Sequence, residues 1–167
     1  PQYTVADSIP NADMLPYDRT VLLDTDTYIC ESFSELFDLL STRDLAVCHA
    51  PGRKEVSNTP DCIREYNTGV VGFQHKPAVR SFLDAWNGAY SNQIKQTGHV
   101  TNQETFTQKL YHSDLNYEIL NREYNVKLPS GYINGHAKII HGNHPSGIEK
   151  VGKCLNQTKS PRVFTQK

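Results

Sequence analysis

The chain has 167 residues, a length that suits one domain around one hydrophobic core. Hydrophobic residues make up 37 %, charged residues 21 %, and the formal net charge is −1, so we expect no general attraction to nucleic acid or to anionic membranes. No apolar run approaches the roughly 18 residues of a membrane span, and the N-terminus lacks the basic-then-apolar pattern of a signal peptide.

The cysteines are widely spaced, and no two of them form the CxxC pair of a zinc ribbon. Their number and spread favour a reducing compartment over disulfide bonding, so we expect a cytoplasmic protein. The four are Cys30, Cys48, Cys62 and Cys154.

The first third of the chain predicts an irregular entry followed by strand, helix and strand. Residues 1–16 contain three prolines and few apolar residues in register. Residues 20–23 form a continuous apolar run, as expected of a strand covered on both faces. Ser32 and Glu35 form a Ser-x-x-Glu capping box that predicts the start of a helix, and residues 45–49 predict the next strand.

The middle of the chain continues this alternation. Residues 51–66 mix proline, glycine and charged side chains, which predicts a mobile loop. A strand is expected over residues 69–73, and Pro77 suits the first turn of the helix that follows. We expect a loop over residues 88–101 and another helix over residues 103–111.

The last third has short strand candidates at residues 124–128 and 138–141, and the polar tail from Gly142 onward is expected to be irregular. Strands that alternate with helices predict an α/β architecture with a mostly parallel sheet flanked by helices. We treat residues 1–167 as a single domain.

Two acidic residues, Asp24 and Asp26, follow the first predicted strand. Side chains at positions i and i+2 of a strand point to the same side, so these carboxylates would converge. Two anions that close repel each other unless a cation or a proton lies between them. Such oxygen ligands suit magnesium or manganese. The alternative is that both are ordinary loop or capping residues, because Asp-x-Asp is a common triplet.

The surroundings of this pair resemble a known family. Residues 17–29, Tyr-Asp-Arg-Thr-Val-Leu-Leu-Asp-Thr-Asp-Thr-Tyr-Ile, are similar to the DxD region of GT-A-type nucleotide-diphospho-sugar glycosyltransferases, with the glycogenin-like and related families as the nearest. The resemblance continues in order over about residues 16–144. Its further motifs are residues 65–73 (the Asn-Thr-Gly strand), Asn102-Gln103, Tyr124-Asn125 and Lys138-Ile139-Ile140-His141-Gly142.

The resemblance implies a partial GT-A fold and a metal site. Asp24 and Asp26 would bind a divalent ion, Mn²⁺ or Mg²⁺, that bridges the two phosphates of the donor, and His141 would be a further ligand. Taken alone, His141 is as readily explained as a surface or partly buried histidine. Its position after an apolar strand, rather than its residue type, singles it out from the neighbouring His136 and His144.

The resemblance also implies a substrate pocket. Asn67, Thr68 and Gly69 would line it, and Gln103 would hydrogen-bond the transferred sugar, which makes Gln103 and Asn102 the catalytic candidates. Asn102 stands where relatives often have aspartate, and a neutral amide cannot act as a carboxylate base or nucleophile. Without the resemblance, residues 67–69 are equally well explained as a turn that enters a strand.

Other candidate contacts have simpler explanations. Arg53, Lys54 and Arg64 could contact phosphate, but a solvated loop is the favoured interpretation. Trp86 is interpreted as helix core rather than as a sugar platform.

The leading functional hypothesis is a metal-dependent glycosyltransferase that moves a sugar from a nucleotide-diphosphate donor, most simply a UDP-sugar, to a glycan, protein or small-molecule acceptor. The nearest families suggest retention of anomeric configuration. The alternative is a non-catalytic, truncated GT-A-like module that acts in binding or assembly. A nucleotidyltransferase ranks below both because no glycine-rich phosphate loop is present.

Only 23 residues precede Asp24, whereas a GT-A enzyme usually has its nucleotide-binding half before the DxD strand. A central strand without its neighbour would expose an unpaired apolar edge. We therefore expect a homo-oligomer formed through that edge, or coverage of the edge by residues 1–16.

Overall fold

A computed structural model describes residues 9–10, 15–52, 55–98, 101–128 and 130–165. The helices are α1 (Glu35–Leu39), α2 (Pro77–Thr97), α3 (Gln103–Tyr111) and α4 (Ile148–Leu155). The strands are β1 (Arg19–Leu23), β2 (Thr27–Ile29), β3 (Leu45–His49), β4 (Tyr66–Gln74), β5 (Tyr117–Ile119), β6 (Val126–Lys127), β7 (Ser130–Ile133), β8 (Ile139–His141) and β9 (Arg162–Thr165). Together they form an α/β fold.

The strands form a larger sheet in the order β1-β4-β3-β5, a smaller sheet in the order β2-β8-β6, and the pair β7-β9. Parallel pairing joins β3 to β5 and β6 to β8, whereas the β1–β4, β3–β4, β2–β8 and β7–β9 pairs are antiparallel. The expected mostly parallel sheet is therefore wrong for the described residues. For β3 and β4, one reason is that the described residues between them contain no crossover helix, so the chain reverses direction.

The larger hydrophobic core lies between the four-stranded sheet and the helices α2 and α3. Phe106 of α3 is fully buried and meets Phe82 and Trp86 edge-to-face, with ring centroids 5.5 and 4.8 Å away. Trp86 is 2 % exposed, so its interpretation as helix core is confirmed. A smaller core around Ile133 and Ile140 lies beside the three-stranded sheet.

Several predicted elements lie where the sequence indicates. Residues 45–49 and 103–111 form β3 and α3, and Pro77 is the first residue of α2. The prediction of a loop over residues 88–101 is wrong, because α2 continues to Thr97. Tyr90 extends the buried stripe of the helix by a further turn, and Gly98, in the left-handed conformation at φ 67°, ends it.

The predicted capping box is also wrong. Ser34, not Ser32, precedes the first turn of α1, and no side chain among the described residues caps that helix. Glu35 instead accepts a hydrogen bond from the Tyr124 hydroxyl at 2.7 Å and pairs with Lys138 at 3.2 Å. Glu35 therefore makes long-range contacts with Tyr124 and Lys138 instead of the local capping contact with Ser32.

The tail after Gly142 is more regular than expected. It contains α4 and β9, and α4 has a strongly one-sided apolar face that packs into the smaller core. The short strands β5 and β7 were not predicted, and of residues 124–128 only Val126–Lys127 is extended in a sheet, after a 3₁₀ turn at Arg122–Tyr124.

Strand β1 lies at an edge of the larger sheet and is half-buried, so the expectation that it is covered on both faces is wrong. Ile9 and Leu15, from the predicted irregular entry, are 4 % exposed and belong to the larger core. Self-association through the β1 edge stays a prediction.

Arg53 and Lys54, the loop cations considered for phosphate binding, lie outside the described residues, and Arg64 is exposed. Among the described helices, none has the length and apolar character needed to cross a membrane.

Candidate metal centre

The acidic pair lies in the turn that connects β1 to β2, so the two residues do not alternate along one strand as expected. Backbone hydrogen bonds hold each end of the turn on a different sheet. The amide of Asp24 donates to the Gly69 carbonyl at 2.9 Å, and the Asp26 carbonyl accepts from the Gly142 amide at 2.9 Å. The turn, rather than strand alternation, makes the two carboxylates converge.

His141 completes the group from the last position of β8. Its side chain is 4 % exposed, and its Nε2 lies 3.3 Å from Asp24 Oδ2 and 3.3 Å from Asp26 Oδ1. One ligand atom from each of the three residues lies within 4.8 Å of the others. The other two nearby histidines are used elsewhere, since His136 pairs with Glu31 and His144 accepts from the Ser146 amide.

Gly69 lets the His141 ring reach this position. A Cβ atom at Gly69 would lie 2.0 Å from Cε1 and 2.3 Å from Nδ1 of His141. No side chain fits in that space without displacing the imidazole, since carbon atoms in contact are normally about 3.5–4.0 Å apart. The His141 ring therefore occupies the space beside Gly69 that a side chain would otherwise fill.

The chemistry of the three residues fits a divalent cation. Two carboxylate oxygens and one imidazole nitrogen are a suitable mixed ligand set for manganese, and the oxygens suit magnesium. The Asp24 and Asp26 side chains are 45 % and 35 % exposed, whereas His141 is buried. An ion held here would be anchored on the protein side and would keep coordination positions open toward solvent.

Buried amides lie behind the imidazole. His141 Nδ1 is 3.0 Å from Asn125 Oδ1, and Asn125 Nδ2 donates to Asn67 Oδ1 at 2.7 Å. Asn67 Nδ2 donates in turn to Gln103 Oε1 at 2.7 Å, and Gln103 Nε2 lies 3.4 Å from Glu65 Oε2. We call Gln103, Asn67 and Asn125 the amide chain.

The predicted pocket residues are brought together, but largely by contacts with one another. Besides the Asn67–Gln103 bond, the Thr68 hydroxyl donates to Asn102 Oδ1 at 2.9 Å. The Asn102 carbonyl accepts from the Trp86 indole at 3.2 Å, which ties the start of α3 to α2. The two motifs, far apart in the sequence, therefore form one polar cluster next to the metal centre.

Burial shifts the ionisation of groups around this cluster. It lowers the pKa of His49, which stacks on Tyr66 with centroids 5.1 Å apart, and the positive charge of Arg64 lowers it further. Burial, with the hydrogen bond to Glu35, raises the pKa of Tyr124 to about 12. At neutral pH, therefore, His49 is largely uncharged and Tyr124 is a hydrogen-bond donor.

Asn125 and Glu65 were not predicted as site residues, although both belong to motifs that carry the family resemblance. Asn125 is 5 % exposed and Glu65 is 6 % exposed. The available signal was a polar residue next to a strand segment in each motif, but only the folded chain shows that Asn125 contacts His141 and that Glu65 contacts Gln103.

No family model matches the sequence, and no curated protein matches it. Solved structures with a similar fold include GT-A-type glycosyltransferases. They include mouse xyloside xylosyltransferase 1 (TM-score 0.57, 18 % identity, 86 % of this chain and 64 % of that one). Galactosyltransferase LgtC with donor and acceptor sugar analogues has a TM-score of 0.52 at 16 % identity (79 % and 55 %). The glycosyltransferase GlyE of Streptococcus pneumoniae TIGR4 has a TM-score of 0.53 at 17 % identity (96 % and 40 %).

These identities are low, so the likeness concerns the fold. The expected resemblance to GT-A-type glycosyltransferases is confirmed at that level, and the DxD-like pair with His141 is present in the structure. The chain spans less than two thirds of the length of each of the three structures.

Proposed function

We propose that this chain is the metal-binding part of a glycosyltransferase that transfers a sugar from a nucleotide-diphosphate donor, most simply a UDP-sugar, to an acceptor hydroxyl. The observation that supports this most directly is the convergence of Asp24, Asp26 and His141 in a glycosyltransferase fold. The neighbours with that fold include a xylosyltransferase and a galactosyltransferase solved with donor and acceptor sugar analogues.

In this proposal Asp24, Asp26 and His141 hold Mn²⁺ or Mg²⁺. Such an ion, when bound, supplies Lewis-acid stabilisation of the negative charge that develops on the departing diphosphate. The exposed faces of the two carboxylates leave room for phosphate oxygens, whereas the buried imidazole anchors the site. Thr68 and Asn102, both partly exposed beside this centre, are the proposed contacts to sugar hydroxyls.

Calorimetry with Mn²⁺ and UDP tests the proposal. We expect UDP to bind in the presence of Mn²⁺ and to lose that binding in EDTA. Asp26→Ala should abolish the metal-dependent part, because it removes one of only two anionic ligands. Asp38→Ala, which removes an exposed carboxylate on α1, is the matched control and should bind as the wild type does. A wild-type protein that binds neither Mn²⁺ nor Mg²⁺ would contradict the proposal.

A second candidate function is a non-catalytic binding module with the same fold. Asn102 favours it, because its neutral amide stands where relatives often have a carboxylate. The two functions differ in turnover, since the module would bind Mn²⁺ and UDP but release no UDP from a UDP-sugar. Release of UDP by the wild type, lost in Asp26→Ala and kept in Asp38→Ala, would decide for the enzyme.

A further inference from the structure

The amide chain has a definite direction, because one of its contacts can be made in only one orientation. The backbone amide of Gly69 donates to Asn67 Oδ1 at 3.0 Å. An N–H group can donate but cannot accept, so the Asn67 oxygen must face Gly69 and its NH₂ group must face Gln103. The Gln103 oxygen then accepts from Asn67, and the Gln103 nitrogen is left facing the Glu65 carboxylate.

The same anchor sets the other half of the chain. Asn67 Oδ1 is an acceptor for Asn125 as well as for Gly69, so Asn125 presents its NH₂ group to Asn67 and its oxygen to His141. An oxygen 3.0 Å from His141 Nδ1 requires a proton on that nitrogen. In the neutral ring Nε2 then carries no proton and has a free lone pair. Nε2 is the atom that faces Asp24 and Asp26.

We propose that Asn125, oriented by Asn67 and Gln103, is a positioning residue that holds His141 in the tautomer and ring orientation needed for metal binding. This inference rests on the proposed metal site. Histidines that bind metals commonly donate their second ring N–H to an acceptor that fixes their orientation. Here that acceptor is a buried amide whose own orientation is set by its neighbours.

The burial of the chain makes this orientation hard to change. Asn67 and Asn125 are 4 % and 5 % exposed, so water cannot readily replace a partner that turns away. The His141 ring also lies against Gly69, where an added Cβ atom would come 2.0 Å from Cε1 and 2.3 Å from Nδ1. Both ends of the Gln103 amide already have partners, which assigns Gln103 a role behind the metal site in addition to any contact with substrate.

The test is Mn²⁺ affinity without nucleotide, measured by electron paramagnetic resonance of the free ion. Asn125→Leu keeps the approximate volume and removes the acceptor, so we expect roughly 10–100-fold weaker binding. Asn125→Asp restores an acceptor for His141 Nδ1 and should bind Mn²⁺ more tightly than Asn125→Leu. Gln103→Leu, farther from the ring, should weaken binding by a smaller factor.

Thr107→Val is the matched control, because it removes a buried hydroxyl that accepts from the Tyr66 amide and donates to the Gln103 backbone carbonyl, and it leaves every side-chain amide of the amide chain in place. The melting temperature of every variant is measured in EDTA as well. A purely structural role for Asn125 would lower the melting temperature and leave Mn²⁺ affinity unchanged, as expected for Thr107→Val.

Equal Mn²⁺ affinities in the wild type, Asn125→Leu and Gln103→Leu would overturn this inference alone. A wild type that binds neither Mn²⁺ nor Mg²⁺ would overturn the proposed metal site as well, so the two failures are distinguishable. If Asn125→Leu does not fold, the Mn²⁺ affinities of Gln103→Leu and Thr107→Val are compared instead. A Gln103→Leu protein with wild-type Mn²⁺ affinity would contradict the positioning role of the amide chain.

Discussion

The two hydrophobic cores of the molecule differ in size and in chemistry. The larger core, between the four-stranded sheet and α2 and α3, is built on aromatic side chains such as Tyr90 and Phe106. The smaller core, beside the three-stranded sheet and α4, is mostly aliphatic, and several residues packed against it are only partly buried. We expect the larger core to supply most of the folding free energy, because it buries more apolar surface.

The candidate metal centre lies where these two regions meet, and it draws on both. Asp24 is held by β4 of the larger sheet, Asp26 is held by the Gly142 amide just after β8, and His141 belongs to β8 of the smaller sheet. The amide chain crosses the same boundary between Asn67 and Asn125. We therefore expect stability to depend mainly on apolar packing within one region, and the proposed metal binding to depend on polar contacts between the two.

The largest expected effect on stability is in the larger core. Phe106→Ala should lower the free energy of unfolding by about 3–5 kcal/mol, because it leaves a cavity between Phe82 and Trp86. Chemical denaturation measures the loss. Mn²⁺ affinity of the folded protein should stay close to that of the wild type, and an affinity that falls as steeply as the stability would show that the two regions are not separable.

The sequence predicted elements whose pattern is local. Helix α3 and strand β3 follow from apolar periodicity, and the acidic pair is visible because its members are two residues apart. The sequence did not reveal the antiparallel pairing of the strands, because pairing depends on which strands meet in space. The end of α2 was missed because the polar residues after Gly88 hide the contribution of Tyr90.

The grouping of Asp24, Asp26 and His141 was predictable from the sequence, whereas the side chains that support His141 were not. His141 follows an apolar strand and lies in a motif, so the family resemblance could indicate it. Asn67 and Asn125 are 58 residues apart, and no periodicity links two asparagines at that distance. Their contact depends on how the two sheets are placed, which is a property of the whole fold.

Gly69→Ala should damage the boundary between the regions while sparing both cores. The added Cβ would lie 2.0 Å from His141 Cε1, so the ring must move away from Asp24 and Asp26. We expect Mn²⁺ affinity to fall by roughly tenfold or more, in the range seen when ligand orientation is lost. The free energy of unfolding should fall by about 1–3 kcal/mol, as in other overpacked sites.

Gly88→Ala is the matched control for that change. Gly88 lies in the exposed face of α2, and a methyl group added there would meet no atom of the described residues within 4 Å. The substitution should raise the free energy of unfolding by about 0.5–1 kcal/mol, because alanine favours helix, and leave Mn²⁺ affinity unchanged. Wild-type Mn²⁺ affinity in Gly69→Ala would contradict the assigned packing of His141.

The smallest expected loss of stability is at the end of β3 farthest from His49, where we expect polar contacts to serve stability alone. Asp44 accepts from Lys76 Nζ at 2.7 Å and from the Asn116 amide at 2.9 Å, and thereby ties β3 to α2 and β5. Burial acts to raise the pKa of Asp44, but the bonds from Lys76 and Asn116 outweigh it and hold the pKa below its usual range. Asp44→Asn should cost about 1 kcal/mol at neutral pH, since Lys76 is partly exposed and its ion pair is screened.

The pH dependence of this effect has a definite sign. A carboxyl with a lowered pKa in the folded state stabilises the fold above the ordinary aspartate pKa of about 3.9 and loses that contribution as the pH falls through the folded value. The difference in unfolding free energy between wild type and Asp44→Asn should thus be constant from about pH 7 to about pH 5 and shrink below about pH 4. Asp38→Asn, at an exposed position, controls for the lost charge. A difference in unfolding free energy that grows on acidification would contradict the lowered pKa assigned to Asp44. A change in Mn²⁺ affinity in Asp44→Asn would show that polar contacts far from the boundary also affect the candidate metal centre.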